Sequence, residues 1–300
     1  DGFVSDGPAT LGMRRLAIFD PAHGHQPMAT PDGRFDLVFN GAIYNFRVLR
    51  TELAAAGHVF RTECDTEVLL AAFAQWGADC VGRLRGMFAF AAWDRREQSL
   101  FVARDPLGIK PLYYRLDGDR LIFASELNAF HAAQLAEPQI DPTAVGDYLG
   151  WLSVPAPRTI YRDCFSLLPG ECAVFQRGQL ERRLHWRFRT IPPASTVASN
   201  RVELVRELQA RLDDTIRAHV VADVPVGAFL SGGLDSAAVV ALMAGAGSGA
   251  LRTFSLGFDE AGYSEAEAAA ASARHFGTQH HASVLTGAEV ARDLPQLLAA

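Results

Sequence analysis

The stretch Val226-Gly-Ala-Phe-Leu-Ser-Gly-Gly-Leu-Asp-Ser236 decides how the last third of the chain folds. Its apolar part, Val226 to Leu230, reads as a short buried strand; Ser231 to Ser236 reads as a loop, and Ala237 to Ala244 as a helix. At such a strand–loop–helix junction the backbone N–H groups and the helix dipole favour an anion. Gly232 and Gly233 carry no Cβ to hold phosphate oxygens away from the backbone. Ser231 and Ser236 add hydroxyl donors, and Asp235 offers a carboxylate to a Mg²⁺ that bridges phosphates. No lysine follows the second glycine, so the loop is not a Walker A loop. Taken alone, the hexapeptide reads either as a phosphate loop or as an ordinary Ser-Gly-Gly turn followed by an Asp-Ser helix cap.

Outward from this loop the pattern repeats. A long amphipathic helix, Val202 to Val220, precedes it. A strand (Leu251 to Leu256), a helix (Ser264 to Phe276), a strand (His281 to Leu285) and a helix from Gly287 follow. Strands alternating with helices imply a Rossmann-like parallel sheet with helices on both faces. The adjacent His280 and His281 would point to opposite faces of their strand. Upstream, Thr190-Ile-Pro-Pro-Ala-Ser-Thr-Val-Ala-Ser-Asn200 is poor in large apolar residues and reads as an interdomain linker.

The first 189 residues read as a layered α+β domain. Asp36-Leu-Val-Phe-Asn40 is a short strand ending at an Asn40-Gly41 turn, and Phe46 to Ala56 is a helix. Asp65 is a suitable N-cap for a helix over Thr66 to Trp76. Strands follow at Met87 to Trp93, Leu100 to Ala103, Leu112 to Tyr114 and Leu121 to Ala124. Asp141-Pro142 opens a helix running to about Leu149, and Cys172 to Phe175 is a further strand.

Composition narrows the function. Of 300 residues, 49% are hydrophobic and 21% charged, which fits a globular protein with two cores. A net charge of −6 disfavours nonspecific binding to nucleic acid or anionic membrane. No apolar run suffices to span a bilayer and no signal peptide opens the chain, so the expected compartment is the cytoplasm. Cys64, Cys80, Cys164 and Cys172 form no CxxC pair, and no histidine cluster has metal-ligand spacing, so a zinc site is not expected.

In the first domain, Arg15, Asn40, Gly41 and Asp65 are by themselves equally a surface arginine, a turn and a cap. Several segments change that reading: Leu11-Gly-Met-Arg-Arg-Leu-Ala-Ile-Phe-Asp20, Phe39-Asn-Gly-Ala-Ile-Tyr-Asn45, Cys64-Asp-Thr-Glu67, Gly86-Met-Phe-Ala-Phe-Ala91, Ala103-Arg-Asp-Pro-Leu-Gly-Ile-Lys-Pro-Leu-Tyr113 and Ala124-Ser-Glu126. In this order, and with Asp223-Val-Pro-Val-Gly227 and the phosphate loop, they closely resemble the glutamine-hydrolysing asparagine synthetase family. The resemblance covers nearly the whole chain. It implies an N-terminal αββα-sandwich (Ntn-hydrolase-like) class II glutaminase domain over 1–189, a linker at 190–200, and the front half of an ATP-pyrophosphatase-type synthetase domain over 201–300.

By the same resemblance, Arg15 holds the glutamine carboxylate, Asp65 its ammonium, and Asn40 with Gly41 the oxyanion; such groups suit those charges chemically. ATP falls to Leu230, Ser231, Gly232, Gly233, Leu234, Asp235 and Ser236, with Leu256 and Gly257 beside the adenosine and Asp235 on Mg²⁺. Ala42 stands where the family usually has glutamate, which implies weaker substrate binding and a less polar pocket; Met13 stands where it usually has histidine. The family's nucleophile is an N-terminal cysteine. This chain starts Asp1-Gly-Phe-Val, and no Ser-Gly-Glu-Gly-x-Asp-Glu segment appears by Ala300, so the expectation is a sequence truncated at both ends and inactive by itself. The implied ligands are glutamine, aspartate and ATP, with ammonia passing through an internal channel; homodimerisation stays open. Rival readings are another adenylating amide synthetase, of the β-lactam synthetase kind, and a non-catalytic module binding glutamine or nucleotide.

Overall fold

The structure, a computed structural model, describes residues 2–16, 18–133, 139–189, 200–246, 251–259, 262 and 264–299. The chain divides into two compact units, Asp1–Ile191 and Pro192–Ala300. The Thr190–Asn200 linker expectation falls outside the described residues except for Asn200, whose side chain accepts from Val202 N at 3.0 Å and caps the following helix.

In the first unit, β1 (Gly2–Asp6) and β2 (Ala9–Met13) pair as a hairpin. Strands β3 (Met28–Ala29), β4 (Phe35–Ile43), β5 (Gly86–Asp94) and β6 (Ser99–Arg104) belong to one antiparallel sheet. Here β7 is Tyr113–Asp117, β8 Arg120–Ala124 and β9 Phe165–Ser166, which form a smaller sheet in the order β8-β7-β9. With β10 (Glu171–Gln176) and β11 (Gln179–Leu184), the larger sheet runs β11-β10-β6-β5-β4-β3. The helices are α1 (Phe46–Ala55), α2 (Asp65–Trp76), α3 (Asn128–Ala132) and α4 (Pro142–Trp151).

Side-chain size sorts the two faces of the large sheet. Towards α2 it presents phenylalanines: Phe35, Phe90 and Phe101 meet Phe73 with ring centroids 5.3, 6.5 and 5.2 Å apart. Towards the small sheet it presents the short Ala89, Ala91 and Ala173 beside Val38 and Val102. These let Leu11, Leu112, Tyr114 and Leu167 pack close. The large sheet is thus the middle layer of the two-sheet sandwich that the sequence implies.

Two local readings need correction. Asn40-Gly41 is no turn: β4 runs through it to Ile43, with Gly41 opposite Phe88. A Cβ on Gly41 would collide with the Met87 carbonyl oxygen, and one on Gly86 with that of Ala42. The two glycines therefore serve close strand approach. Asp65 is not the cap of α2 either; Cys64 holds that position and Asp65 is the first helical residue. The Asp141-Pro142 helix start is as read, with Asp141 Oδ1 accepting from Thr143 N at 2.9 Å.

The second unit comprises α5 (Arg201–His219), β12 (Gly227–Phe229), α6 (Leu234–Gly245), β13 (Arg252–Phe258), α7 (Ala266–Phe276), β14 (Gln279–Leu285) and α8 (Gly287–Ala299). The strands pair parallel in the order β12-β13-β14. Leu230, Val240, Met243, Leu251, Ala269 and Ala273 form the core between sheet and helices. On β13, Thr253, Ser255 and Gly257 point to that core, whereas Phe254, Leu256 and Phe258 stay exposed. The expected buried strand at Val226–Leu230 is correspondingly half right: Leu230 is buried, but Phe229 is 83% exposed because it lies on the other face. Helix α6 begins three residues earlier than read, so Asp235 and Ser236 lie in its first turn rather than in the loop. His280 and His281 do face opposite ways: His280 bonds Thr253 and Ser255, and His281 stacks on Phe254 at 5.3 Å.

Between β6 and β7 the chain crosses from the large sheet to the small one. Fully buried Asp105 accepts from the backbone N–H groups of Phe88 (3.2 Å), Leu107 (3.0 Å), Ile109 (2.9 Å) and Lys110 (2.9 Å). Asp105→Ala strands these donors, and the expected loss is about 3 kcal/mol of first-unit stability. Trp76, Trp93, Trp151 and Trp186 all lie in that unit, so urea unfolding followed by tryptophan fluorescence reads it directly. A loss below about 1 kcal/mol would show that the crossing is held by other contacts.

Candidate functional site

A cavity of about 530 Å³ opens in the first unit, and Arg15, Asn40, Gly41 and Asp65 all line it. Asn40 and Gly41 reach it from β4, and Asp65 from the first turn of α2. Arg15 comes from the segment after β2. Its guanidinium donates to the carbonyls of Phe19 and Asp20, and it packs so tightly on Gly24 that a Cβ there would lie 2.6 Å from it. Asn40 Nδ2 donates to Ser125 Oγ at 3.4 Å.

Asp65 is only 3% exposed, and its Oδ2 accepts from Ile43 N at 3.0 Å. Burial pushes its pKa up to about 6, against the Ile43 N–H and the Arg15 charge, which favour the ionised form. Because burial outweighs these groups, the carboxylate is receptive to a further cationic group. Beside it, Cys64 is fully buried, and burial raises its thiol pKa as well. That keeps it protonated and a poor nucleophile.

The sequence reading left several lining residues unassigned. Gln26 is one: its Oε1 accepts from Phe39 N at 2.6 Å and its Nε2 donates to Thr66 Oγ1 at 3.2 Å, which fixes β4 against α2. Lys110, Ser125 and Glu126 also line the cavity. The signal for these three was their place inside segments already quoted; Gln26 and its neighbours carry no such signal.

In the second unit a cavity of about 270 Å³ lies at the end of β12. Leu230, Ser231, Ser236 and Leu256 line it, together with the unanticipated Ser255 and Glu265. Leu234 points away and is 84% exposed. Gly257 lies outside the lining, where a Cβ would meet Ser264 Oγ at 2.8 Å and Ala266 Cβ at 3.0 Å; it lets the start of α7 approach the strand. Gly232, Gly233 and Asp235 form the loop and the first turn of α6 beside the cavity. Asp235 is exposed in that first turn and offers a hard oxygen donor, though it is not among the residues lining the cavity. A single carboxylate of this kind is chemically suited to Mg²⁺. Among the described residues no group of three or more His, Cys, Asp or Glu side chains forms a cage for a metal.

Residues 1–186 match a family model described as glutamine amidotransferase domain, and residues 207–300 one described as asparagine synthase. Asparagine synthetase [glutamine-hydrolyzing] 1 of Bacillus subtilis is 36% identical over 299 residues, covering 99% of this chain and 46% of that protein. A putative asparagine synthetase [glutamine-hydrolyzing] of Mycobacterium bovis is 40% identical over 304 residues, covering 98% and 46%. The chain spans about half the length of these curated relatives. Among solved structures, a glutamine phosphoribosylpyrophosphate amidotransferase from B. subtilis matches with a TM-score of 0.39 and 19% identity, over 86% of this chain and 48% of that one.

The raised pKa of Asp65 has a consequence for stability. An unfolded aspartate titrates near 3.9. Between about pH 4 and 6 the folded chain therefore binds more protons than the unfolded one, and stability falls as pH rises through that window. Asp65→Asn removes the titration, so urea unfolding at successive pH values is expected to show a shallower fall across it. Equal slopes for both proteins would assign the titration to another group.

Proposed function

This chain belongs to the glutamine amidotransferase domain family and continues into asparagine synthase sequence, and from that premise we propose that it is part of a glutamine-dependent asparagine synthetase. In the whole protein, glutamine is hydrolysed to glutamate and ammonia. Aspartate attacks the α-phosphorus of ATP, releasing pyrophosphate and forming β-aspartyl-AMP, and ammonia displaces AMP to give asparagine. Residues 1–189 act as the glutaminase part, 201–300 as the front of the synthetase part, and 190–200 as the joining segment.

The observation that carries the reading is the convergence of Arg15, Asn40, Gly41 and Asp65 on one cavity. Free glutamine presents a carboxylate, an ammonium and a side-chain amide. Arg15 pairs with the first, Asp65 with the second, and the Asn40 amide with the Gly41 N–H receives the oxyanion that forms on the third. Because Asp65 with a pKa of about 6 becomes mostly ionised above that pH, it attracts the ammonium best there.

ATP binds in the second unit, its phosphates on the Ser231–Ser236 loop and its adenosine beside Leu230 and Leu256. Asp235 would hold a Mg²⁺, which would supply charge neutralisation to the phosphates. Nucleic acid has no part in this reading, a homodimer is compatible with it, and the cytoplasm is its compartment. Among the described residues no helix is long and apolar enough to cross a membrane.

Calorimetric titration of glutamine into the full 300-residue chain tests the first site. Wild-type affinity is expected to rise as pH increases through about 6 and to level above it. At pH 7.5, Asp65→Asn and Arg15→Ala should each bind at least about tenfold more weakly. Unchanged binding by Asp65→Asn would remove it from the pocket. At the second site, Asp235→Ala should weaken ATP binding when Mg²⁺ is present and leave it unchanged in a chelator. Equal binding in both conditions would count against Asp235 as a metal ligand.

A further inference from the structure

Three N–H donors of the loop read as a phosphate cradle, those of Ser231, Gly232 and Gly233, are already engaged. Ser231 N donates to Ser236 Oγ at 3.1 Å, and Gly233 N to Ser231 Oγ at 3.2 Å; the two hydroxyl oxygens lie 2.8 Å apart. These acceptors are neutral and belong to the loop and the first turn of α6. Gly232 is served differently. Its N–H donates to Oε2 of Glu265 at 3.1 Å, so its acceptor is a carboxylate from a residue 33 positions further along the chain.

Glu265 occupies the cap position of α7 and lines the same 270 Å³ cavity as Ser231 and Ser236. The start of α7 lies hard against the loop: a Cβ on Gly232 would stand 3.1 Å from Ala268 Cβ and 3.4 Å from Glu265 Cβ. A side chain at 232 would press on the start of α7, so glycine eases the approach of the carboxylate to the N–H. The N-terminal end of α6 also carries partial positive charge at this point, which stabilises any anion placed there. A carboxylate oxygen on Gly232 N–H therefore holds the place, and satisfies the donor, that a phosphate oxygen would take.

We propose that Glu265 is a specificity-determining residue of the nucleotide site, occupying the Gly232 N–H so that a polyphosphate must displace its carboxylate to bind. The inference rests on the phosphate-loop reading above. It has a directional consequence. A bare polyphosphate exchanges one anion for another and also meets the displaced carboxylate as a like charge. A polyphosphate already neutralised by a divalent cation escapes most of that repulsion, so Glu265 biases the site towards the metal-complexed nucleotide. A residue that merely braced the loop would act in the opposite sense, since its removal would loosen the cradle and weaken every phosphate ligand.

Calorimetric titration of inorganic pyrophosphate into the full chain separates these cases. With chelator present and at low ionic strength, Glu265→Gln is expected to bind about threefold to tenfold more tightly than wild type, and the gap should shrink as salt is raised. Glu265→Ala should change in the same direction. Unchanged or weaker binding by Glu265→Gln, with wild-type binding intact, overturns the proposal while leaving the phosphate loop standing. Absence of pyrophosphate and ATP binding in every protein removes the loop reading and this inference together. A second readout needs no variant: the Gly232 amide resonance of the wild-type chain should shift as pyrophosphate saturates the site. Saturation with that resonance unmoved also overturns the proposal.

Discussion

The first unit depends on the way one buried carboxylate holds the chain where it leaves one sheet for another. Asp105 follows the last residue of β6 and collects four backbone N–H groups, one from β5 and three from the turn that leads to β7. Its neighbour Arg104 works on the carbonyl side. The guanidinium donates to the carbonyls of Lys110 (2.8 Å), Gly108 (2.8 Å) and Leu167 (2.6 Å) and to Ser166 Oγ (2.9 Å). Burial lowers the Arg104 pKa, while the charge of Asp105 supports its cationic form. Between them the two residues satisfy both polarities of a turn that would otherwise bury unpaired backbone. Gly108, at φ +65°, completes the arrangement, since a side chain there would strike Pro169. The turn delivers Lys110 and Leu112 to the cavity and lets Leu112 accept from Leu167 N at 2.9 Å. The small sheet, one wall of the site, stands where it does because of this crossing.

What the sequence shows in advance divides along local and non-local lines. The start of α4 was legible because its cap is local: Asp141 bonds a residue two positions on. The opposite faces of His280 and His281 were legible because strand periodicity is local too. Asn40-Gly41 was misread for the complementary reason. Its turn propensity is a property of the dipeptide, whereas its strand conformation is imposed by β5 lying so close that only glycine fits. Asp65 has the composition of a cap, but its carboxylate bonds Ile43, 22 residues earlier. No window along the chain contains that partner.

The candidate sites follow the same rule. Glycine-rich spacing marks Ser231–Ser236 as a candidate phosphate loop, because the residues concerned are consecutive. Arg15, Asn40 and Asp65 have no such adjacency, and only family resemblance joined them before the fold did. Glu265 and Ser255 escaped both routes. They come to the loop through the parallel pairing of β13 beside β12 and the packing of α7, which the alternation of strands and helices implies only in outline.

The two carboxylates that matter most, Asp65 and Glu265, are placed in opposite electrostatic situations, and each makes ligand binding an exchange. Asp65 lies where water hardly reaches, so its negative charge is costly until a cation arrives; its pKa near 6 measures that cost. Binding an ammonium there would lower the pKa and release a proton from the part of the population that carries one. Glu265 lies where water does reach, so its charge costs little, and it is spent on a backbone donor that an anion wants. A ligand at the first site gains by completing a pair; at the second it gains only by out-competing one already made. In the proposed reading, a zwitterion at one site and a charge-compensated polyphosphate at the other meet carboxyl groups that differ in burial and in the partners they already hold.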